Sequence, residues 1–237
     1  MLPTRRPGGS EGGPCGGKFP LRALRTALDS CRDHPTQTWH GRVEQVTNRG
    51  DPAAEFDHGR ACVILTGPPG AGKSSVARAV AQRLQRSALL DGDAINALIV
   101  SGFVWALGQP AEEASRQVRL LHANLCALAA NFADAAITPV IDAVIPNRDR
   151  LDFFLETLAP RRVLLVVLTP SAEVCRARNE VRPPEHQFFF DGYEALTAAM
   201  REDFGTIGWW LDSSQMSLEE TAQQVTTMAH TLAETGS

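Results

Sequence analysis

Apolar and polar positions divide the chain near residue 60. Before that point no period holds. Residues 1–19 are rich in Gly and Pro, and residues 33–59 are mostly polar. One short helix is predicted at Leu21–Cys31, where Leu21, Leu24, Leu28 and Cys31 share a face. Residues 1–59 therefore read as a partly disordered extension, and residues 60–237 as one domain. From residue 61 apolar runs alternate with helical periodicity. Ala61–Thr66 (ACVILT) is a continuous apolar run ending at a glycine loop, the pattern of a strand buried on both faces. Gly72–Arg86 reads as a helix with Val76, Val80 and Leu84 on one side. Ser87–Leu90, ending at Asp91, reads as a second strand, and Ala94–Val100 as a helix. Glu112–Ala133 is a longer helix with Val118, Leu121, Leu125 and Leu128 inward. Thr138–Ile145 and Arg162–Leu168 are further strands, separated by a helix at Arg148–Leu158. Helices at Ser171–Arg178, Tyr193–Phe204 and Ser217–Leu232 and a short strand at Trp209–Leu211 complete the pattern. This alternation predicts an α/β fold, a five-stranded parallel sheet flanked by helices. Ligands of such sheets bind beyond the carboxyl ends of the strands.

Composition narrows the partners. Hydrophobic residues make up 43% and charged residues 21%, as in ordinary globular domains. The formal net charge of -4 argues against a nucleic-acid partner. No apolar run reaches the ~18 residues of a membrane span, and no apolar stretch follows Arg5 and Arg6 as a secretory signal requires. The five cysteines (Cys15, Cys31, Cys62, Cys126 and Cys175) are odd in number and form no CxxC pair. That argues against a disulfide framework or a zinc site and fits a reducing cytoplasm.

The chemistry begins where the first strand ends. Gly67, Pro68, Pro69, Gly70, Ala71, Gly72, Lys73 and Ser74 match GxxxxGK[ST], between a strand and a helix, with Ser75 next. Glycines let a backbone wrap closely around a phosphate. Loop N–H groups and the helix N-terminus then face the anion. Lys73 is expected to reach the β- and γ-phosphates of ATP, and the Ser74 hydroxyl to ligate Mg²⁺.

Carboxylates gather at the next strand ends. Asp91-Gly92-Asp93 follows the second strand. Asp93 is the candidate general base and Asp91 a magnesium-shell or substrate contact, although Asp93 could instead cap the following helix. Asp142 lies in an apolar run, where a carboxylate needs a partner. It reads as a Walker B-like metal contact, a substrate-hydroxyl acceptor or a structurally satisfied acid. Arg148 is a candidate clamp for an anionic part of the substrate, or a surface residue. Arg178 and Arg182 sit in an arginine-rich stretch and are expected to stabilise transferring phosphate from a lid. His186 and Phe188 to Phe190 would line the acceptor pocket or anchor the following helix. Trp105, Trp209 and Trp210 read as core or pocket wall.

Five stretches carry a resemblance: GPPGAGKS, LLDGD at Leu89–Asp93, DAVIPNRDR at Asp142–Arg150, SAEVCRARN at Ser171–Asn179 and LDSSQMSLEE at Leu211–Glu220. From about residue 61 to 232 the chain resembles P-loop small-molecule kinases of the nucleoside-monophosphate-kinase type. Within that group it looks most like adenylylsulfate kinase, gluconate kinase and chloramphenicol phosphotransferase. It departs from adenylylsulfate kinases at Ala94-Ile95-Asn96, where they place Asn-x-x-Arg, and in the shorter Pro146-Asn147-Arg148 turn. The segment after Asn179 also lacks their Pro-Lys-Gly-Leu-Tyr pattern. The resemblance implies a Mg²⁺- and ATP-dependent kinase with a rebuilt pocket for a small-molecule acceptor, such as an antibiotic or other secondary metabolite. Rival readings are adenylylsulfate kinase itself and a nucleotide-dependent ligand binder that turns over slowly.

Overall fold

The computed structural model describes residues 61–184 and 187–234. The extension, its expected helix, Cys15, Cys31 and His186 lie outside them. Strands β1 (Ala61–Thr66), β2 (Ser87–Asp91), β3 (Thr138–Asp142), β4 (Arg162–Leu168) and β5 (Trp209–Leu211) form one parallel sheet in the order β2-β3-β1-β4-β5. The connecting helices are α1 (Lys73–Arg83), α2 (Gly92–Asn96), α3 (Ala111–Asp134), α4 (Arg148–Leu158), α5 (Ala172–Glu180) and α6 (Tyr193–Phe204). The last helix is α7 (Leu218–Glu234).

Strand alternation builds a core on each face of the sheet. Val63 and Leu65 of β1 join Val76 and Val80 of α1 and Val225 of α7. Cys62 and Ile64 point the other way, onto Leu125 of α3, Phe154 of α4 and Met200 of α6. All six residues of β1 are buried, as their unbroken apolar run requires. Cys62, Cys126 and Cys175 are buried free thiols, small apolar fillers rather than reactive groups. Burial pushes Cys62 and Cys126 up to about 12.

Two element boundaries and one buried face correct the sequence expectations. The helix expected over Ala94–Val100 is the short α2, which begins at Gly92 and ends at Asn96. The third strand stops at Asp142 rather than Ile145. There the Ala143 N–H donates to the Leu65 carbonyl (3.2 Å) and the Ile145 N–H to Thr66 Oγ1 (2.9 Å), which turns the chain over the end of β1. In α3 the buried positions are Ala114, Gln117, His122, Leu125, Cys126, Ala129 and Ala133. Val118, Leu121 and Leu128 are only half-buried. The inward face thus includes two polar residues with structural partners, which an apolar period alone does not register.

Candidate active site

The glycine loop adopts the backbone its sequence demands. Gly67, Gly70 and Gly72 all have positive φ (141°, 77° and 92°), a region side chains other than glycine's rarely tolerate. Space adds a second constraint at Gly70. A Cβ there would lie 2.7 Å from the Cys175 carbonyl oxygen. The loop is therefore pressed against α5 as well as shaped to surround an anion. The Lys73 ammonium donates to the Pro68 carbonyl at 3.0 Å across the loop. Burial lowers its pKa, while the nearby Asp142 and Asp93 carboxylates pull it back up.

Strand register brings the acids to this lysine. Asp142 pairs with Asp91 on one side and with Leu65 on the other, one residue before the end of β1. Gly92 packs against the Asp142 backbone, where a Cβ would meet the carbonyl oxygen at 3.0 Å. Asp142 is 5% exposed. Burial raises its pKa, and the Asp91 and Asp93 charges raise it further. Lys73 and a hydrogen bond from the Ser74 hydroxyl hold it down. The buried carboxylate therefore has the two partners that its sequence position calls for.

The two acids of the Asp-Gly-Asp turn differ. Asp91 Oδ1 accepts from the N–H groups of Asp93 (2.9 Å) and Ala94 (3.3 Å) and so caps α2. The sequence offered Asp93 as that cap. With α2 starting at Gly92, Asp93 falls in its first turn, exposed, with its charge near Lys73.

The arginines also part company. Arg178 belongs to α5 itself, not to a lid, and its guanidinium straps two loops together. Nη1 donates to the Ala71 carbonyl (2.9 Å) and Nη2 to the Ser213 carbonyl (3.2 Å). Arg182 lies just past α5, stacked 5.1 Å above the Phe188 ring, with its charge felt at Lys73. Asn179, unnoticed in the sequence, fastens this segment through a two-way bond with the Phe188 backbone (2.7 and 3.2 Å). Phe190 packs edge-on to Tyr193 at 4.9 Å and anchors α6. Arg148, the candidate clamp, is half exposed and paired on its own helix. Its Nε donates to Asp152 Oδ1 at 2.7 Å, one turn along α4. Ser75 is exposed in the first turn of α1. Trp210 is half-buried against Phe204 and beneath Arg201, packed on the edge of the core.

Sequence reasoning missed His122. It is buried on α3, 5.0 Å from the Phe154 ring, and bonds the Val144 backbone in the β3–α4 loop. Burial, aided by the Arg150 charge, pushes its pKa down to about 4. A histidine with a lowered folded pKa binds fewer protons in the native than in the unfolded state. Its stabilising share is complete above the unfolded value near 6.5 and is lost as pH falls toward 4. Denaturant titrations of His122→Asn between pH 4 and 7 should show a shallower loss of stability on acidification, by at most about 3 kcal/mol. A slope equal to that of the parent would remove His122 as its source.

Ser74, with Asp142 beside it, offers one hydroxyl and one carboxylate to a cation. Magnesium suits this sparse set, because it keeps several waters and takes phosphate oxygens as further ligands. Among the described residues no cluster of three or more His, Cys, Asp or Glu side chains forms a self-sufficient metal cage. No helix among them is long and apolar enough to cross a membrane.

Residues 62–207 match a family model described as an AAA domain. No curated protein matches the chain at a significant level. Among solved structures, shikimate kinase from Acinetobacter baumannii, in complex with shikimate, is similar with a TM-score of 0.56 at 17% identity, covering 76% of this chain and 98% of that one. The tunicamycin resistance protein of Deinococcus radiodurans is similar with a TM-score of 0.51 at 20% identity, covering 71% and 94%. A gluconokinase from Sinorhizobium meliloti 1021 gives 0.50 at 20% identity, covering 74% and 95%. At these identities the likeness is one of fold. The family match is broader in meaning, running from β1 to the turn before β5 through every element that carries the glycine loop and the clustered acids. The chain belongs to the AAA domain family (AAA_33), on the P-loop fold shared with small-molecule kinases.

Proposed function

We propose that the protein is a Mg²⁺- and ATP-dependent kinase that transfers the γ-phosphate to a hydroxyl of a small molecule. An antibiotic or other secondary metabolite is the acceptor class that the sequence resemblance favours. The observation that carries the reading is the convergence of Lys73, Ser74, Asp142 and Asp93 at the mouth of the glycine loop. The N–H groups from Gly70 to Ser75 hold the phosphates of ATP. Lys73 moves from the Pro68 carbonyl to the β- and γ-oxygens. Ser74, with Asp142 beside it, would hold magnesium, which would supply positive charge against the phosphates. Of the two acids to which the sequence offered a metal role, this favours Asp142, because Asp91 Oδ1 is committed to the cap. Asp93 takes the proton as the acceptor oxygen bonds to the γ-phosphorus. The bond from that phosphorus to the β–γ bridging oxygen breaks, and ADP leaves. Arg182 adds positive charge beside the transferring group, and Arg178 holds the loop's shape. The three buried free thiols support a reducing cytoplasmic setting.

Incubating the full chain with ATP·Mg²⁺ and a metabolite and antibiotic library, read by mass spectrometry, tests this. One acceptor should gain a phosphoryl group while ADP accumulates in equal amount. A ligand that shifts thermal stability without being phosphorylated would make the protein a binder instead.

A further inference from the structure

The kinase reading leaves the acceptor's chemistry open, and the segment after Asp93 addresses it. Residues 94–111 contain no Asp, Glu, Lys, Arg or His, in a chain that is 21% charged. The segment does not bury its apolar side chains as a core element would. Leu98 is 72% and Val100 94% exposed, and Phe103 and Trp105 are close to half exposed. Val144, in the loop after β3, is exposed as well. Chain direction puts these groups together. The segment leaves the carboxyl end of β2 and enters α3, and Val144 follows the carboxyl end of the adjacent β3. Both therefore lie at the sheet edge that holds Asp93 and Asp142.

The backbone of this segment is held by defined bonds. The buried Gln117 side chain accepts from the Val104 N–H (2.8 Å) and donates to the Gly102 carbonyl (2.8 Å). Its Nε2 also reaches Glu113 Oε1 (2.7 Å), and the Gly108 N–H closes a turn onto the Trp105 carbonyl (2.8 Å). A buried amide thus satisfies the loop's polar backbone while its large apolar side chains stay outward. Such groups, kept in water beside a reaction centre, gain free energy only when something apolar covers them. Of the charges nearby, Arg148 is paired with Asp152 and Arg116 with Glu113, while the Nε of Arg150 is buried away from the surface. Such a wall suits neither a sugar acid nor a sulfate ester.

Resting on the kinase reading, we infer that the acceptor is an apolar alcohol whose aryl or alkyl body lies against residues 98–105. The test measures phosphoryl transfer from ATP·Mg²⁺ to phenylalkanols from benzyl alcohol to 5-phenylpentanol, with glycerol and gluconate as polar and anionic comparisons. kcat/KM should rise about fourfold per added methylene, with glycerol and gluconate inert. The double variant Val100→Ser/Phe103→Ser should flatten that rise while its Kd for ATP·Mg²⁺, measured by calorimetry, stays unchanged. Preference for gluconate or glycerol overturns the inference and leaves the kinase reading intact. So does an unaltered slope in the variant. Failure of any phenylalkanol to be phosphorylated or to shift thermal stability, with ATP·Mg²⁺ bound, also overturns it. A sedimenting dimer that the same double variant makes monomeric would give this face to a second copy of the chain and equally overturn it. Failure to bind ATP·Mg²⁺ removes the kinase reading itself, and the inference with it.

Discussion

Lys73→Ala should slow phosphoryl transfer by roughly a thousandfold or more. The Lys73 ammonium lies inside the glycine loop, bonded to the Pro68 carbonyl, with Asp142 and Asp93 close enough to hold its pKa up against burial. Removing it subtracts the charge meant for the γ-phosphate. It also takes from the buried Asp142 one of the two partners that hold its pKa down against burial. Lys73→Arg should not restore the rate. A planar, longer guanidinium cannot occupy the space of a compact ammonium between loop and strand ends. Single-turnover assays on variants shown to be folded by circular dichroism measure this directly. A rate within tenfold of the parent in Lys73→Ala would defeat the proposed role.

Asp93→Asn should lower kcat by a factor on the order of 10² to 10⁴, the usual worth of a general base. The exchange keeps size and removes only the proton acceptor. Affinity for ATP·Mg²⁺ should hardly move, because Asp91 rather than Asp93 caps α2 and the phosphate loop is built elsewhere. The signature is a fall in kcat with a steady nucleotide Kd, read by coupled assay and calorimetry. Unchanged turnover would reject the base assignment. Equal losses in turnover and nucleotide affinity would move Asp93 to the metal shell.

These expectations trace back to how legible the chain is. β1 and β4 follow from sequence residue by residue, because each is an apolar run of strand length, rich in β-branched residues and bounded by turn signals. The glycine loop follows as directly, since its fixed positions leave few other backbones available. Sequence was weaker where a polar atom decides a boundary. The end of β3 depends on Thr66 Oγ1 capturing the Ile145 N–H from 79 residues away, and no local pattern encodes that. The cap of α2 went to the wrong aspartate, because both lie within two residues and only the start of the helix tells them apart. Gln117 and His122 escaped notice because apolar periodicity ignores polar residues that are buried with partners. Arg178 looked like part of a charged, mobile stretch. Its true anchors, the carbonyls of Ala71 and Ser213, are 107 and 35 residues distant.

The sheet order β2-β3-β1-β4-β5 has a stereochemical consequence for the proposed transfer. The strap from Arg178 to Ser213 lies on the β4–β5 flank, whereas Asp93 and the uncharged segment extend from β2. In the proposed transfer, donor and acceptor would therefore meet over β1 from opposite flanks, with the phosphorus between them. A group displaced from one side and captured on the other turns like an umbrella in wind, so the phosphorus would change hand once in every turnover.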